Sequence, residues 1–380
     1  MGAVKLFQLV LVGLLLSALP STAVADELTR LYAQILRDPT NSDLNIRYAQ
    51  LAEERGEPRK ALAAYERILV NDPNNEEAQR GMQRIRRKLQ PNTTQFIAEL
   101  GALWESNPRR VSSGKRSEWD AIARLSLRDE RSISGVRWRT LGTLIGEFHG
   151  RYDDLNYGYA GGVMGPVIDL TPKLAVHAAL GGGVSYFANS LYYSEAVASL
   201  TFESFLEGAF RSVRFRGGYR VYDESFPSSE GFYADAMGKF AFPNVIGSGD
   251  LFIVSPWVRW SGIKGTGFSV FFPNQQDQPG DYIQYGAKFE YYRRIVEWLT
   301  IGGNFTISQR DYSKSTNIAT GAGSERRDLY YVPGATLILH HVLGYQTDLR
   351  FDYRYEINES NFKSRDFENH LATTMLVSRF

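Results

Sequence analysis

Three arginines at strand spacing are the residues of this chain best placed to do chemistry. Arg214, Arg216 and Arg220 lie two and four positions apart, so an extended backbone turns all three guanidiniums to one side. No acidic residue falls between Ala209 and Tyr222. Cations held this close repel unless anions or counter-charges stand opposite, and Asp235 and Glu203 are the candidate counter-charges on the flanking stretches. Other basic side chains keep the same spacing: Arg124 with Arg128, Lys288 beside Glu290, and Arg350 with Arg354, which alternate with Asp352 and Glu356. The chemistry implied is electrostatic. Either a field draws in anionic or polar material, or cross-strand ion pairs stiffen a wall.

Covalent and metal chemistry find little support. There is no cysteine, which excludes disulfides, thiolate metal sites and cysteine nucleophiles. The histidines, His149, His177, His340, His341 and His370, are scattered, and the adjacent pair falls on opposite faces of a strand. His177 and Ser185 share a face but lie roughly 26 Å apart along a strand. Gly181-Gly182-Gly183 lies within a strand, with no Lys-Ser/Thr after it, and is no phosphate loop. No catalytic residue, metal site or cofactor is expected. Net charge is +1, from 43 basic and 42 acidic side chains, so no global field argues for nucleic acid.

The elements that position these charges read as strands from Gln95 to the last residue. Lys173 to Tyr186 is the clearest. Ala175, His177, Ala179 and Gly181 share one face, and Val176, Ala178, Leu180 and Val184 share the other. Strands are expected near 95–105, 117–130, 133–150, 155–165, 173–187, 191–206, 208–222, 230–243, 250–262, 281–294, 297–311, 327–342, 346–358 and 367–380. No helices appear in this region to cover the apolar face. A charged side chain facing lipid at mid-depth would cost about 2–4 kcal/mol for Arg or Lys, so the charges must line a lumen. A mean hydropathy of −0.30 is too polar for a helical membrane bundle, but a barrel with a polar interior escapes that average. Residues 91–380 therefore read as an all-β transmembrane barrel of about fourteen antiparallel strands. Gly262–Gly280 and Ser313–Arg326 are its long outer loops, and the terminal Phe380 is its assembly signal.

The N-terminus differs in kind. Lys5, the apolar run from Leu6 to Leu19 and Ala23-Val24-Ala25 form a signal peptide over residues 1–25. Residues 26–90 carry helical spacing and an internal repeat. Asp38-Pro39-Thr40-Asn41 returns as Asp72-Pro73-Asn74-Asn75, thirty-four positions later, which is the tetratricopeptide (TPR) period. Gly56, Ala61, Tyr65 and Pro73 take the positions where such helix pairs turn and interlock. Arg80, Arg84, Arg86, Arg87 and Lys88 form a basic run on the closing helix.

In this order of parts the chain resembles Gram-negative proteins that join a signal peptide, a periplasmic TPR segment and an outer-membrane barrel. The opening hairpin, Glu99 to Asn107 with Glu105-Ser106-Asn107, looks like the start of such barrels. Tyr353-x-Tyr355-x-x-Asn358-x-Ser360-Asn361, then Asn369 and Arg379-Phe380, looks like their closing hairpin. Two groups are similar: exopolysaccharide exporters and surface lipoprotein assembly modifiers. The resemblance implies an outer-membrane barrel that exports or translocates a secreted polysaccharide or surface protein. Outer-membrane lipid, the barrel assembly machinery and a periplasmic protein docked on residues 26–90 would be its partners. An anchoring barrel that recruits a periplasmic partner, or a passive porin, is the alternative.

Overall fold

The computed structural model describes residues 21–89, 92–171, 173–206, 209–224, 230–263, 281–316, 323–344 and 346–380. The chain divides into two compact units between Pro91 and Asn92.

The first unit is four helices: α1 (Ser21–Arg37), α2 (Ser42–Glu54), α3 (Pro58–Asn71) and α4 (Glu76–Leu89). α1 starts inside the expected leader, whose residues 1–20 lie outside the described residues. The repeated tetrapeptide accounts for the regularity of the unit. Asn41 caps α2 by accepting the Leu44 N–H at 3.1 Å, and Asn75 caps α4 by accepting the Ala78 N–H at 3.0 Å. Each asparagine also donates to the aspartate three residues earlier, and each proline carbonyl accepts a side-chain amide, from Asn45 or Gln79. The two copies are thus equivalent down to individual hydrogen bonds.

Gly56 turns the chain from α2 to α3 at a φ of 70°, in the left-handed region. Ala61 and Tyr65 are buried with Ala49, Ala52, Ala64 and Ile68. The Tyr65 hydroxyl donates to Glu53 at 2.8 Å. A Cβ at Gly81 would stand 2.2 Å from the Tyr65 ring, so only glycine fits there. Burial, followed by the bond to Glu53, pushes that hydroxyl well above the usual phenol range. Pro73 corrects the expectation: it is exposed and packs against nothing in the core, because its fixed φ serves the turn before α4. The basic run is largely neutralised within the unit. Arg80 pairs with Glu76, Arg84 with Glu53 and Arg86 with Glu66. The side chains of Arg87 and Lys88 lie outside the described residues.

The second unit is a closed barrel of fourteen antiparallel strands in which every strand pairs with its sequence neighbours and β14 closes on β1. The strands are β1 (Thr93–Glu105), β2 (Glu118–Ile133), β3 (Val136–His149), β4 (Tyr157–Thr171), β5 (Leu174–Phe187), β6 (Ser190–Leu206) and β7 (Ala209–Tyr222). There follow β8 (Gly231–Pro243), β9 (Asp250–Gly262), β10 (Asp281–Val296), β11 (Leu299–Thr316), β12 (Gly323–Leu339), β13 (Thr347–Ser360) and β14 (Phe367–Arg379). Connections after even strands are mostly tight, those at 244–249 and 340–346 being longer. Ser134-Gly135, with φ of 50° and 80°, closes the β2–β3 hairpin by a primed turn that matches strand twist. Connections after odd strands, such as 106–117 and 150–156, include the longer ones.

Three sequence expectations are corrected. β4 runs on to Thr171 rather than ending at 165, because Pro166 keeps its place opposite Trp138 and interrupts the ladder only toward β5. Much of the expected Ser313–Arg326 loop is strand: Ser315 pairs with Ser324 and Thr316 with Gly323. His340 and His341 are not on strand faces. They follow β12 in a turn, His341 at a φ of 61°, with their rings 6.0 Å apart. The expected loop at 262–280 falls, from residue 264 on, outside the described residues.

The alternation sorts the side chains as membrane solvation demands. The outward set includes Trp119, Leu144, Leu180, Phe215, Phe232 and Trp260, all large, apolar and exposed, with Leu180 at 72%. A soluble protein would bury such a belt; a lipid-facing barrel requires it. Among the described residues no helix is long and apolar enough to cross a membrane.

Candidate functional site: the lumen wall

Strand register decides which inward charges meet. Arg216 faces Asp235 across β7 and β8, and Asp235 faces Arg259 across β8 and β9. Arg216 binds the Asp235 carboxylate at 2.6 Å, while Arg259 and Arg214 stand at 3.6 and 3.8 Å. One carboxylate therefore serves three guanidiniums. The Nε atoms of Arg214 and Arg259 are buried without a hydrogen-bond partner among the described residues. The three guanidinium side chains remain 38%, 24% and 36% exposed for Arg214, Arg216 and Arg259, so they reach the water of the lumen.

Arg220 belongs to a different group. It binds Glu195 on β6 at 2.9 Å and lies over the rings of Tyr193 and Tyr233, 4.3 and 4.6 Å from their centroids. Glu195 also accepts from the hydroxyls of Tyr159 on β4 at 3.0 Å and Tyr233 on β8 at 2.8 Å. Glycines make room for these rings. A Cβ at Gly161 or Gly183 would fall within 2.6 Å of the Tyr159 hydroxyl, and one at Gly218 within 2.6 Å of Tyr233.

Glu203 does not neutralise β7. It stands opposite Ser212 and is taken by Arg139 of β3 at 2.7 Å, over a stretch where Gly165 opposite Arg139 presents no side chain to block the reach. Arg139 and Arg128 both bind Glu130, at 2.7 and 2.6 Å. Arg124 faces Glu99 in register. Lys288 donates to Glu290 at 2.8 Å, and Arg350 pairs with Asp352 at 2.6 Å. Arg354 stands between Gly334 and Leu371. Among the described residues much of the wall is thus paired, within a strand or across strands. Three guanidiniums share Asp235, and three also reach Glu130, where Arg137 joins at 3.4 Å but Glu203 takes part of the load. Sequence reasoning missed Arg259, Glu195 and Arg139 because alternation gives a face and not a neighbour.

The motif residues of the first and last hairpins form a latch at the closing seam. Asn369 accepts the Asn107 N–H at 2.8 Å and donates to Glu105 at 3.0 Å, and Ser106 accepts the His370 N–H at 2.8 Å. At the other end of the seam, the Phe380 N–H donates to the Phe96 carbonyl at 2.9 Å, and the Phe380 carbonyl accepts the Phe96 N–H at 3.1 Å. The histidines, scattered in sequence, also converge once. His149 meets Glu105 and Asp120 at the long-loop end, with ligand atoms of all three within 4.8 Å of one another. His177 and Ser185 are separately engaged by backbone carbonyls, of Arg139 and Gly158.

A closed sheet that is apolar outside and charged inside defines an outer-membrane-type β-barrel, here behind a TPR segment. The TPR family model matches residues 42–85. No curated protein sequence matches the chain. Among solved structures, the chain is similar to the outer membrane channel DcaP of Acinetobacter baumannii, at 10% identity and a TM-score of 0.44, over 76% of this chain and 97% of that one. It is also similar to the outer membrane protein opdK of Pseudomonas aeruginosa, at 11% identity and a TM-score of 0.36, over 76% and 99%. A loop-deleted OmpT of Vibrio cholerae gives 6% identity and a TM-score of 0.41, over 77% and 100%.

Proposed function

We propose that the protein is an outer-membrane conduit for polar, anionic cargo. Residues 1–25 are its leader, the tight-turn end of the barrel lies in the periplasm, and residues 26–90 dock a periplasmic protein partner. The observation that carries this reading is the grouping of three guanidiniums around Asp235, still accessible from the lumen. A wall built only for stiffness would cancel its charges there, as it does at Arg350 and Lys288. The finer reading is export of a secreted macromolecule, a polysaccharide or a surface protein. The TPR repeat favours it, because repeats of this class present a surface to a partner and passive diffusion requires none. In planar bilayers the purified full chain is expected to conduct and to prefer chloride over potassium. A barrel that conducts nothing would favour the anchoring alternative, and one that conducts but prefers cations would refute the anionic conduit and leave the passive porin.

Phe380 is proposed as the mark read by the barrel assembly machinery. Its backbone closes the seam, but its ring is 66% exposed and holds nothing inside the barrel. Phe380→Ser keeps both backbone hydrogen bonds and removes the ring. It should sharply lower the amount of heat-modifiable, folded barrel in the outer membrane. Wild-type levels of that variant would refute the role.

A further inference from the structure

We propose that Glu105, Asp120 and His149 form a binding site for a first-row divalent cation such as Zn²⁺ at the long-loop end of the barrel. They come from β1, β2 and β3: Asp120 faces His149, and Glu105 faces Glu118, the next inward residue of β2 from Asp120. Their ligand atoms lie within 4.8 Å of one another. Glu118 and Glu147 flank the same imidazole, at 2.9 Å from Nδ1 and 3.5 Å from Nε2.

A cluster of acids alone would not justify a site; the state of Asp120 does. It is 3% exposed, and neither carboxylate oxygen receives a well-formed hydrogen bond among the described residues. Its nearest partner is His149 Nδ1 at 3.2 Å, and that nitrogen already stands 2.9 Å from Glu118. One ring nitrogen carries at most one proton, which it can only divide between the two carboxylates, the shorter contact going to Glu118. Leaving a buried carboxylate uncompensated is costly. Arg110 pairs with Glu105 at 3.5 Å and Glu356 at 3.2 Å rather than with Asp120. A divalent cation resolves the imbalance by taking oxygen and nitrogen together.

The spacings suit such an ion. The 3.2 Å between Asp120 and His149 Nδ1 is the edge of a coordination shell with bonds of about 2.0–2.2 Å, and Glu105, within 4.8 Å of both, closes the shell by a small side-chain rotation. The set is one imidazole with carboxylates, which suits zinc and its neighbours better than calcium, a seeker of oxygen alone. Glu147 is placed to accept from Nε2–H, which fixes the tautomer and leaves Nδ1 to the metal. Glu118 accepts the backbone N–H groups of Arg151 and Tyr152 through its other oxygen, at 3.0 and 3.2 Å. With Nδ1 on the metal, Glu118 Oε1 turns from the ring to the ion and so ties the loop at 150–156 to the seam latch, since Glu105 also accepts from Asn369. The site stands independently of what the conduit carries.

The test uses the full chain, refolded or extracted in detergent, freed of metal with a chelator and dialysed. Zn²⁺ titrated by calorimetry should bind at one equivalent, and Co²⁺ should give visible ligand-field bands that Zn²⁺ displaces. Asp120→Asn and His149→Gln should each weaken binding by at least about tenfold, the lower bound for disturbing even outer-shell partners. Heat-modifiable migration of each variant shows that it has folded. No Co²⁺ spectrum in the wild-type protein, or Zn²⁺ binding unchanged by folded His149→Gln, overturns the proposal. Ca²⁺ binding that His149→Gln leaves intact overturns it as well. If the variants fail to fold, the wild-type Co²⁺ spectrum alone decides.

Discussion

Asp235→Asn should turn the conduit toward anions more strongly than any other single change in the lumen. Asparagine keeps the volume and removes the one negative charge that Arg214, Arg216 and Arg259 share. Two unit charges 4 Å apart in water interact by about 1 kcal/mol, which is roughly a fivefold change in occupancy. The chloride-to-potassium permeability ratio, read from the reversal potential under a salt gradient, should rise by about that factor. The shift should shrink in 1 M salt, where charges more than about 3 Å apart are screened. The opposite change is Arg214→Gln with Arg216→Gln and Arg220→Gln, which should move the reversal potential toward cations. Arg220 should contribute least, because Glu195 already neutralises it. If both variants fold, conduct and keep wild-type selectivity, the group at Asp235 is not a selectivity element.

The contrast between Arg216 and Arg220 shows how far the sequence alone carries. Their common face follows from a period of two, which survives any register. That face was legible, as were the fourteen strands, since lipid on one side and water on the other enforce strict alternation. Their partners were not legible. Asp235 was within reach of a guess because the hairpin from β7 to β8 is local. Glu203 is no counter-charge for β7, since Arg139 reaches it from three strands away across a glycine. The same limit hid His149 among carboxylates, because Glu105, Asp120 and Glu118 meet it only once three strands are in register. In the helical unit the tetrapeptide repeat fixed both caps, for capping is a contact over three residues. Pro73 misled because the repeat pattern marks where a residue falls and not whether it is buried. The seam latch lies between these cases. Asn107 and Asn369 stood out as motif residues, but their bond spans nearly the whole barrel sequence and needed the closed sheet to appear.

Removing the Glu195 carboxylate should destabilise the barrel more than any other lumen substitution. Its side chain is 2% exposed and accepts from three strands at once: Tyr159 of β4, Arg220 of β7 and Tyr233 of β8. Glycines at 161, 183 and 218 are hollowed around these rings, so no other side chain can move in to replace the acceptor. Glu195→Ala leaves Arg220 without its counter-charge and two phenols without an acceptor. Breaking a buried pair from one side costs about 3–5 kcal/mol. Reversible urea unfolding in lipid or detergent should show a loss of that order, with the slope unchanged. Glu195→Gln should cost less, since it keeps the volume and one acceptor oxygen. The decisive variant is Glu195→Leu combined with Arg220→Met. Taking away both charges removes the stranded cation, so the double variant should be more stable than Glu195→Ala even though it has lost every polar contact of the group. A loss under about 0.5 kcal/mol for Glu195→Ala, within ordinary surface-substitution range, or a double variant no better than the single one, would mean that the ladder hydrogen bonds hold these strands and the carboxylate merely occupies the space between them.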